Sequence, residues 1–130
     1  LKGQFLCSRE VVKYMLERKK GKIINIASLG GLQVWTEHIA YNVAKAGLIM
    51  LTKAMAKALA PYITVNAIAP GTIIIPGEET GEIKHIPERK IPLKRYGKPS
   101  DITDVVVFLA TKGDYITGQV IAVDGGRSIL

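Results

Sequence analysis

Two hydrophobic periods alternate along this chain, and that alternation most restricts what it can fold into. Three apolar, β-branched runs, Lys22–Ala27, Ile63–Ala69 and Gln119–Val123, have the length of strands rather than helices. Longer segments with apolar residues near helical spacing precede and separate them. The first runs from about Gln4 to Lys20 and carries Phe5, Leu6, Val11, Val12, Met15 and Leu16. The second is Ile39–Ala60, and the third is Ser100–Thr111 with Val105, Val106, Phe108 and Leu109. The third follows a proline loop, Arg95-Tyr96-Gly97-Lys98-Pro99, that leads into a capped start. Strands that alternate with helices pair in parallel, because the helix carries the chain back to the strand's starting edge. The expectation is therefore an α/β fold with a parallel sheet, three strands and three helices. The 130 residues are of single-domain size and contain no repeat, low-complexity stretch or linker.

The chemistry-bearing residues fall where such a sheet would gather them. Ser28 follows the first strand, and Tyr41 and Lys45 lie four residues apart, on one face of the second helix. Reducing a carbonyl by hydride needs a proton donor at the developing alkoxide, and a phenol can supply it. Its ordinary pKa of ~10 makes the phenolate scarce at neutral pH, and an ammonium one turn away favours that anion. A serine hydroxyl holds the substrate oxygen without ionising. The second strand runs into Pro70-Gly71, a turn whose backbone can approach a ligand. Gln33 and Trp35, with Val34 between them, are placed to line the same pocket; the alternative for Trp35 is a packing aromatic. His38 reads as a structural histidine, since no metal-ligand spacing accompanies it, and no metal is expected.

The spacing Ser28-x12-Tyr41-x3-Lys45, the run Asn66-Ala67-Ile68-Ala69-Pro70-Gly71 and the block Thr117–Gly126 occur in the order of one known family. On these motifs the chain resembles the C-terminal half of a short-chain dehydrogenase/reductase. The resemblance implies a Rossmann-type doubly wound parallel sheet. Residues 1–130 would be the catalytic and substrate-binding half of a single such domain, its glycine-rich N-terminal half absent from this chain. It implies NAD or NADP as cofactor, held by Tyr41, Lys45, Pro70, Gly71, Thr72 and Ile73. Tyr41 would be the acid/base, Lys45 its electrostatic partner and ribose anchor, and Ser28 the carbonyl holder, with Gln33 and Trp35 toward substrate. The substrate expected is a 3-oxoacyl thioester or a sugar-like alcohol. Two departures stand out. Ile75 occupies the position where the family commonly has a carboxamide-holding threonine, and the family's active-site asparagine would fall just before Leu1. The other reading of such a chain is a non-catalytic remnant that keeps an assembly surface. Similar enzymes form dimers or tetramers through the Tyr/Lys helix, and the small residues Ala44, Ala46, Gly47, Ala54, Ala56, Ala58 and Ala60 keep that helix slim, so a homo-oligomer is expected.

The segment Thr72–Pro92, with Pro76, Gly77, Gly81, Pro87 and Pro92, reads as a substrate loop with little periodicity except over Glu78–Ile86. The net charge of +7 gathers partly in Lys84, Arg89, Lys90, Lys94, Arg95 and Lys98. Such a rim either steers acidic ligands or is a solvated surface. No nucleic-acid motif accompanies it, so no nucleic-acid partner is expected. The single Cys7 forms no internal disulfide, which suits a cytoplasmic protein, and the longest apolar stretches fall well short of a membrane span.

Overall fold

A computed structural model describes residues 1–77 and 86–129. Its main elements are α1 (Lys2–Glu17), β1 (Gly21–Ile26), α2 (Ile39–Leu59), β2 (Ile63–Pro70), α3 (Pro99–Thr111) and β3 (Val120–Val123). The sheet has the order β1-β2-β3 and is parallel throughout, with Ile23 opposite Val65 and Ala67 opposite Val120. Three strands and three helices thus form a Rossmann-like α/β unit. The expected boundaries hold to within a few residues. Helix α1 stops short of Lys20 because Lys19 takes a left-handed conformation (φ 50°), while the Lys20 amide bonds back to the Met15 carbonyl.

Strand β2 is the centre of the molecule, hydrogen-bonded on both sides and buried on both faces. Ile63, Val65, Ala67, Ile68 and Ala69 are all sealed from solvent. One face meets α2 through Leu48, Ile49 and Ala56, with Val12 and Met15 of α1 packed beside them. On the same side Asn25 donates its amide to Thr52 Oγ1 (2.9 Å), and Thr52 in turn donates to the Leu48 carbonyl (2.9 Å), so the buried polar pair is satisfied. Asn66, facing the other way, donates to the Ile116 carbonyl (2.7 Å) and accepts from the Gln119 amide (3.0 Å). That side chain fixes the entry of β3 against β2.

Strand β1 pairs only with β2 among the described residues, which leaves Ile23, Ile24 and Ile26 along an unpaired edge. Ile26 is 45% exposed. Helix α1 likewise shows Phe5, Leu6, Val11, Tyr14 and Leu16 to solvent. Helix α3 begins at Pro99, one residue before the expected Ser100, because Asp101 acts across the start: its Oδ2 accepts from the Lys98 amide (2.8 Å). Arg95 grips the same carboxylate through both Nη atoms (2.7 and 3.1 Å). The guanidinium first, and the Lys98 amide second, lower the Asp101 pKa from 3.8 to about 2.

The loop after β2 has more order than its composition suggests. Ile73 bridges Gly97, Glu88–Lys90 forms a 3-10 turn, and the Tyr96 hydroxyl donates to the Ile86 carbonyl (2.8 Å). The helical turn expected over Glu78–Ile86 lies outside the described residues but for its last position, as do Gly81 and Lys84. No described helix is long and apolar enough to cross a membrane.

Candidate active site

The site begins where β1 ends. Ser28 is buried, its backbone is extended, and its Oγ accepts from the Gly30 amide at 3.1 Å, so it caps the 3-10 turn Leu29–Gly31. Two glycines then let α2 come against that turn. A Cβ at Gly31 would sit 2.8 Å from the Lys45 carbonyl carbon, and one at Gly30 would sit 3.0 Å from Tyr41 Cε1. The pair that follows Ser28 is therefore a docking notch for the Tyr/Lys helix. Its signal in the sequence is the doublet itself, two residues after the serine.

Tyr41 stands in the first turn of α2 with its ring 44% exposed. Lys45 lies one turn further on; its Nζ is 5.6 Å from the Tyr41 ring centroid and donates to the Ile26 carbonyl at 3.1 Å. Trp35 stacks on Tyr41, with centroids 6.2 Å apart and planes 7° from parallel. Asn42 ties the two together by donating to the Trp35 carbonyl (2.8 Å). Trp35 thus packs against Tyr41 and also lines the cavity described below. His38, next to it, meets the indole edge-on at 6.2 Å.

The opposite wall comes from distant segments. Gly71 and Thr72 follow β2, and Arg127 follows the Gly125-Gly126 pair, whose φ values of 66° and 88° turn the chain out of β3. Arg127 Nη1 donates to Thr72 Oγ1 (3.0 Å), and its guanidinium carbon lies 5.1 Å from the Trp35 ring centroid. Asp124 braces this turn by accepting from the Gly126 amide (2.9 Å) and the Ser128 amide (2.6 Å). Burial pushes the Arg127 pKa down from its ordinary value, with the Asp124 charge opposing that in part.

Between the walls lies a cavity of about 550 Å³ into which Ser28, Trp35, Tyr41, Thr72 and Arg127 all open, with Val34, Thr36, Glu37, His38, Gly71 and Ile86 completing its lining. The hydroxyl-bearing side chains at 28 and 41 therefore share one compartment. Lys45 stands behind Tyr41 rather than in the lining. Gln33 is directed elsewhere: its amide donates to the Ser128 carbonyl (3.4 Å). Pro70 ends β2 outside the lining, and Ile73 faces a smaller neighbouring cavity of about 250 Å³. Arg127, Asn42 and the two glycines are the site residues that sequence reasoning did not single out.

Comparison with known proteins gives one consistent result. Residues 1–128 match the family model described as enoyl-(acyl carrier protein) reductase. The chain is 46% identical to a 3-oxoacyl-[acyl-carrier-protein] reductase of Synechocystis, over 97% of this chain and 52% of that protein. It is 42% identical to a protein of the same name from Thermotoga maritima, over 99% of this chain and 54% of the other. Among solved structures, a putative gluconate dehydrogenase from Agrobacterium tumefaciens superposes with a TM-score of 0.91 at 38% identity, covering all of this chain and 54% of that one. A 4-hydroxyisoleucine dehydrogenase complexed with NADH superposes with a TM-score of 0.90 at 36% identity, covering all of this chain and 56% of that one. The chain spans about half the length of the curated relatives it matches.

Proposed function

The chain belongs to the short-chain dehydrogenase/reductase family, and on that premise we propose that it is the catalytic and substrate-binding half of an NAD(P)-dependent oxidoreductase acting on a carbonyl or secondary alcohol. The observation that carries this reading is the shared cavity: Ser28 and Tyr41 open into one space, with the Lys45 ammonium 5.6 Å from the phenol ring.

The residues present fit the nicotinamide end of such a cofactor. Lys45 spends one N–H donor on the Ile26 carbonyl, which leaves two for ribose hydroxyls. The backbone of Pro70-Gly71-Thr72-Ile73, at the C-terminal end of the central strand, is where a carboxamide would be met. Thr72 carries a hydroxyl three residues before Ile75, which has none. Hydride transfer is the chemistry a nicotinamide supplies there. The chain's own part is the proton and the oxygen. Ser28 holds the substrate oxygen by hydrogen bond. As the carbonyl carbon gains its hydride, Tyr41 gives its phenolic proton to that oxygen, and the phenolate left behind is stabilised by Lys45 until solvent reprotonates it. Oxidation runs the same transfers in reverse.

A 3-oxoacyl thioester or a sugar-like alcohol suits a cavity open to solvent at one end, and the names of the relatives support that range. The exposed apolar residues Ile39, Val43 and Met50 along α2, with those of α1, support a homo-oligomer, a dimer or a tetramer. Cys7, free and exposed, fits a cytoplasmic enzyme.

Two measurements test the reading. Calorimetry with NADH and NADPH should give heat with one or both; silence with both would favour a non-catalytic remnant. A ketone incubated with C4-deuterated dinucleotide should emerge as an alcohol carrying the label at the carbinol carbon.

A further inference from the structure

The wall opposite Tyr41 carries a cation that the proton-transfer chemistry does not use. Arg127 is half-buried and opens into the same cavity as the serine and the phenol. Among the described residues it has no carboxylate within ion-pair distance. Asp124, the acidic residue of its own turn, has both oxygens engaged by the amides of Gly126 and Ser128. Glu37 is the acidic residue of the lining, exposed and unpaired with Arg127 among the described residues. Of the five N–H donors of the guanidinium, one reaches a described partner, Thr72 Oγ1. Its guanidinium carbon lies over the Trp35 ring, 5.1 Å from the centroid.

We propose that Arg127 is a specificity-determining residue, and that it takes a carboxylate borne by the substrate a few bonds from the reacting carbon, with Trp35 as the platform that orients it. The inference rests on the reading of this cavity as a dehydrogenase site. Its geometry is a short ladder: the guanidinium lies on Trp35, and Trp35 lies 6.2 Å from the Tyr41 ring. The cation, the indole and the phenol thus line one cavity together with Ser28. A planar guanidinium offers two parallel N–H groups that match a carboxylate. A partly desolvated cation with no counter-ion among the described residues is costly, and an acidic substrate offsets that cost. A thioester, neutral around its reacting carbon, leaves Arg127 unpaired. Among carbonyl and secondary-alcohol substrates, Arg127 therefore favours acids over a thioester.

The test uses Trp35, the only tryptophan of the chain, as reporter. The protein, with and without NAD, is titrated with 3-hydroxybutyrate and with its methyl ester while Trp35 emission is followed. The acid should bind saturably and the ester roughly tenfold or more weakly, the effect of one charge-assisted hydrogen-bonded pair. Arg127→Gln should erase the preference for acid over ester, and Arg127→Lys, which keeps the charge but not the fork, should retain part of it. Equal binding of acid and ester by the wild type, or an acid preference that survives in Arg127→Gln, would overturn the assignment. An Arg127-dependent acid preference in a protein whose Tyr41→Phe variant turns over as fast as the wild type would sink the dehydrogenase reading and leave only carboxylate binding at Arg127.

Discussion

The two walls of the cavity are built in different ways. One wall is local: Ser28, Trp35 and Tyr41, backed by the Leu29–Gly31 turn and Lys45, come from one continuous stretch, folded on itself where β1 hands over to α2. The other is assembled at long range, by Thr72 after β2 and Arg127 after β3, brought together because the two strands end side by side in the parallel sheet. The difference teaches a division of labour. Proton transfer needs a fixed spacing, and a local segment docked on one notch delivers it. Selection among substrates needs a variable surface, and loops at the strand ends provide it without disturbing the first wall.

Substitutions can break this contrast one wall at a time. The largest effect is expected for Tyr41→Phe, which removes the proton donor and leaves the ring stacked on Trp35. Steady-state kinetics should show kcat lowered by about 10²–10⁴-fold. Gly31→Ala comes next. Its Cβ would lie 2.8 Å from the backbone of Lys45, so α2 must shift away from the turn. Thermal unfolding should show a loss of roughly 1–3 kcal/mol, and kcat should fall with it because Tyr41 moves relative to Ser28. Thr72→Val touches only the far wall. It frees Arg127 from its tether (3.0 Å), so the acid-over-ester ratio should fall by a few-fold, on the order of one neutral hydrogen bond, with kcat less affected.

The smallest effect should come from Asp101→Asn, away from both walls. The Asp101 pKa is depressed from 3.8 to about 2 in the folded protein. Its contribution to stability is therefore present above the unfolded value and lost as pH falls through the folded one. The variant should melt slightly below the wild type at neutral pH, and the gap should close between pH 3.8 and about 2. A gap that widens in acid would show the Arg95 pairing to be misread.

How much of this was legible beforehand follows the same division. The three strands were readable because Ile23-Ile24-Asn25-Ile26 and Ile63-Thr64-Val65-Asn66 carry β-branched residues that a buried parallel sheet accepts. The Tyr41 and Lys45 relationship was readable because helical periodicity fixes which residues share a face. Less visible was anything set by a turn. Gly30-Gly31 are visible as a doublet, but that the doublet admits α2 leaves no trace in local pattern. Gln33 was placed toward substrate by proximity to Ser28, but the 3-10 turn directs its amide to Ser128 instead. Arg127 lies far along the chain from every other site residue, and only the strand order brings it back. Lys19 ended α1 early through a backbone conformation that side-chain periodicity does not report.

A double-mutant cycle on Ser28→Ala and Tyr41→Phe, read as kcat/KM for one ketone, tests most directly whether the two hydroxyls serve one oxygen. If they do, their losses are coupled, and the double variant should be hardly slower than Tyr41→Phe alone. A double variant slowed by the full product of the two single losses would mean that the serine and the tyrosine act independently, and the shared-oxygen account would fail.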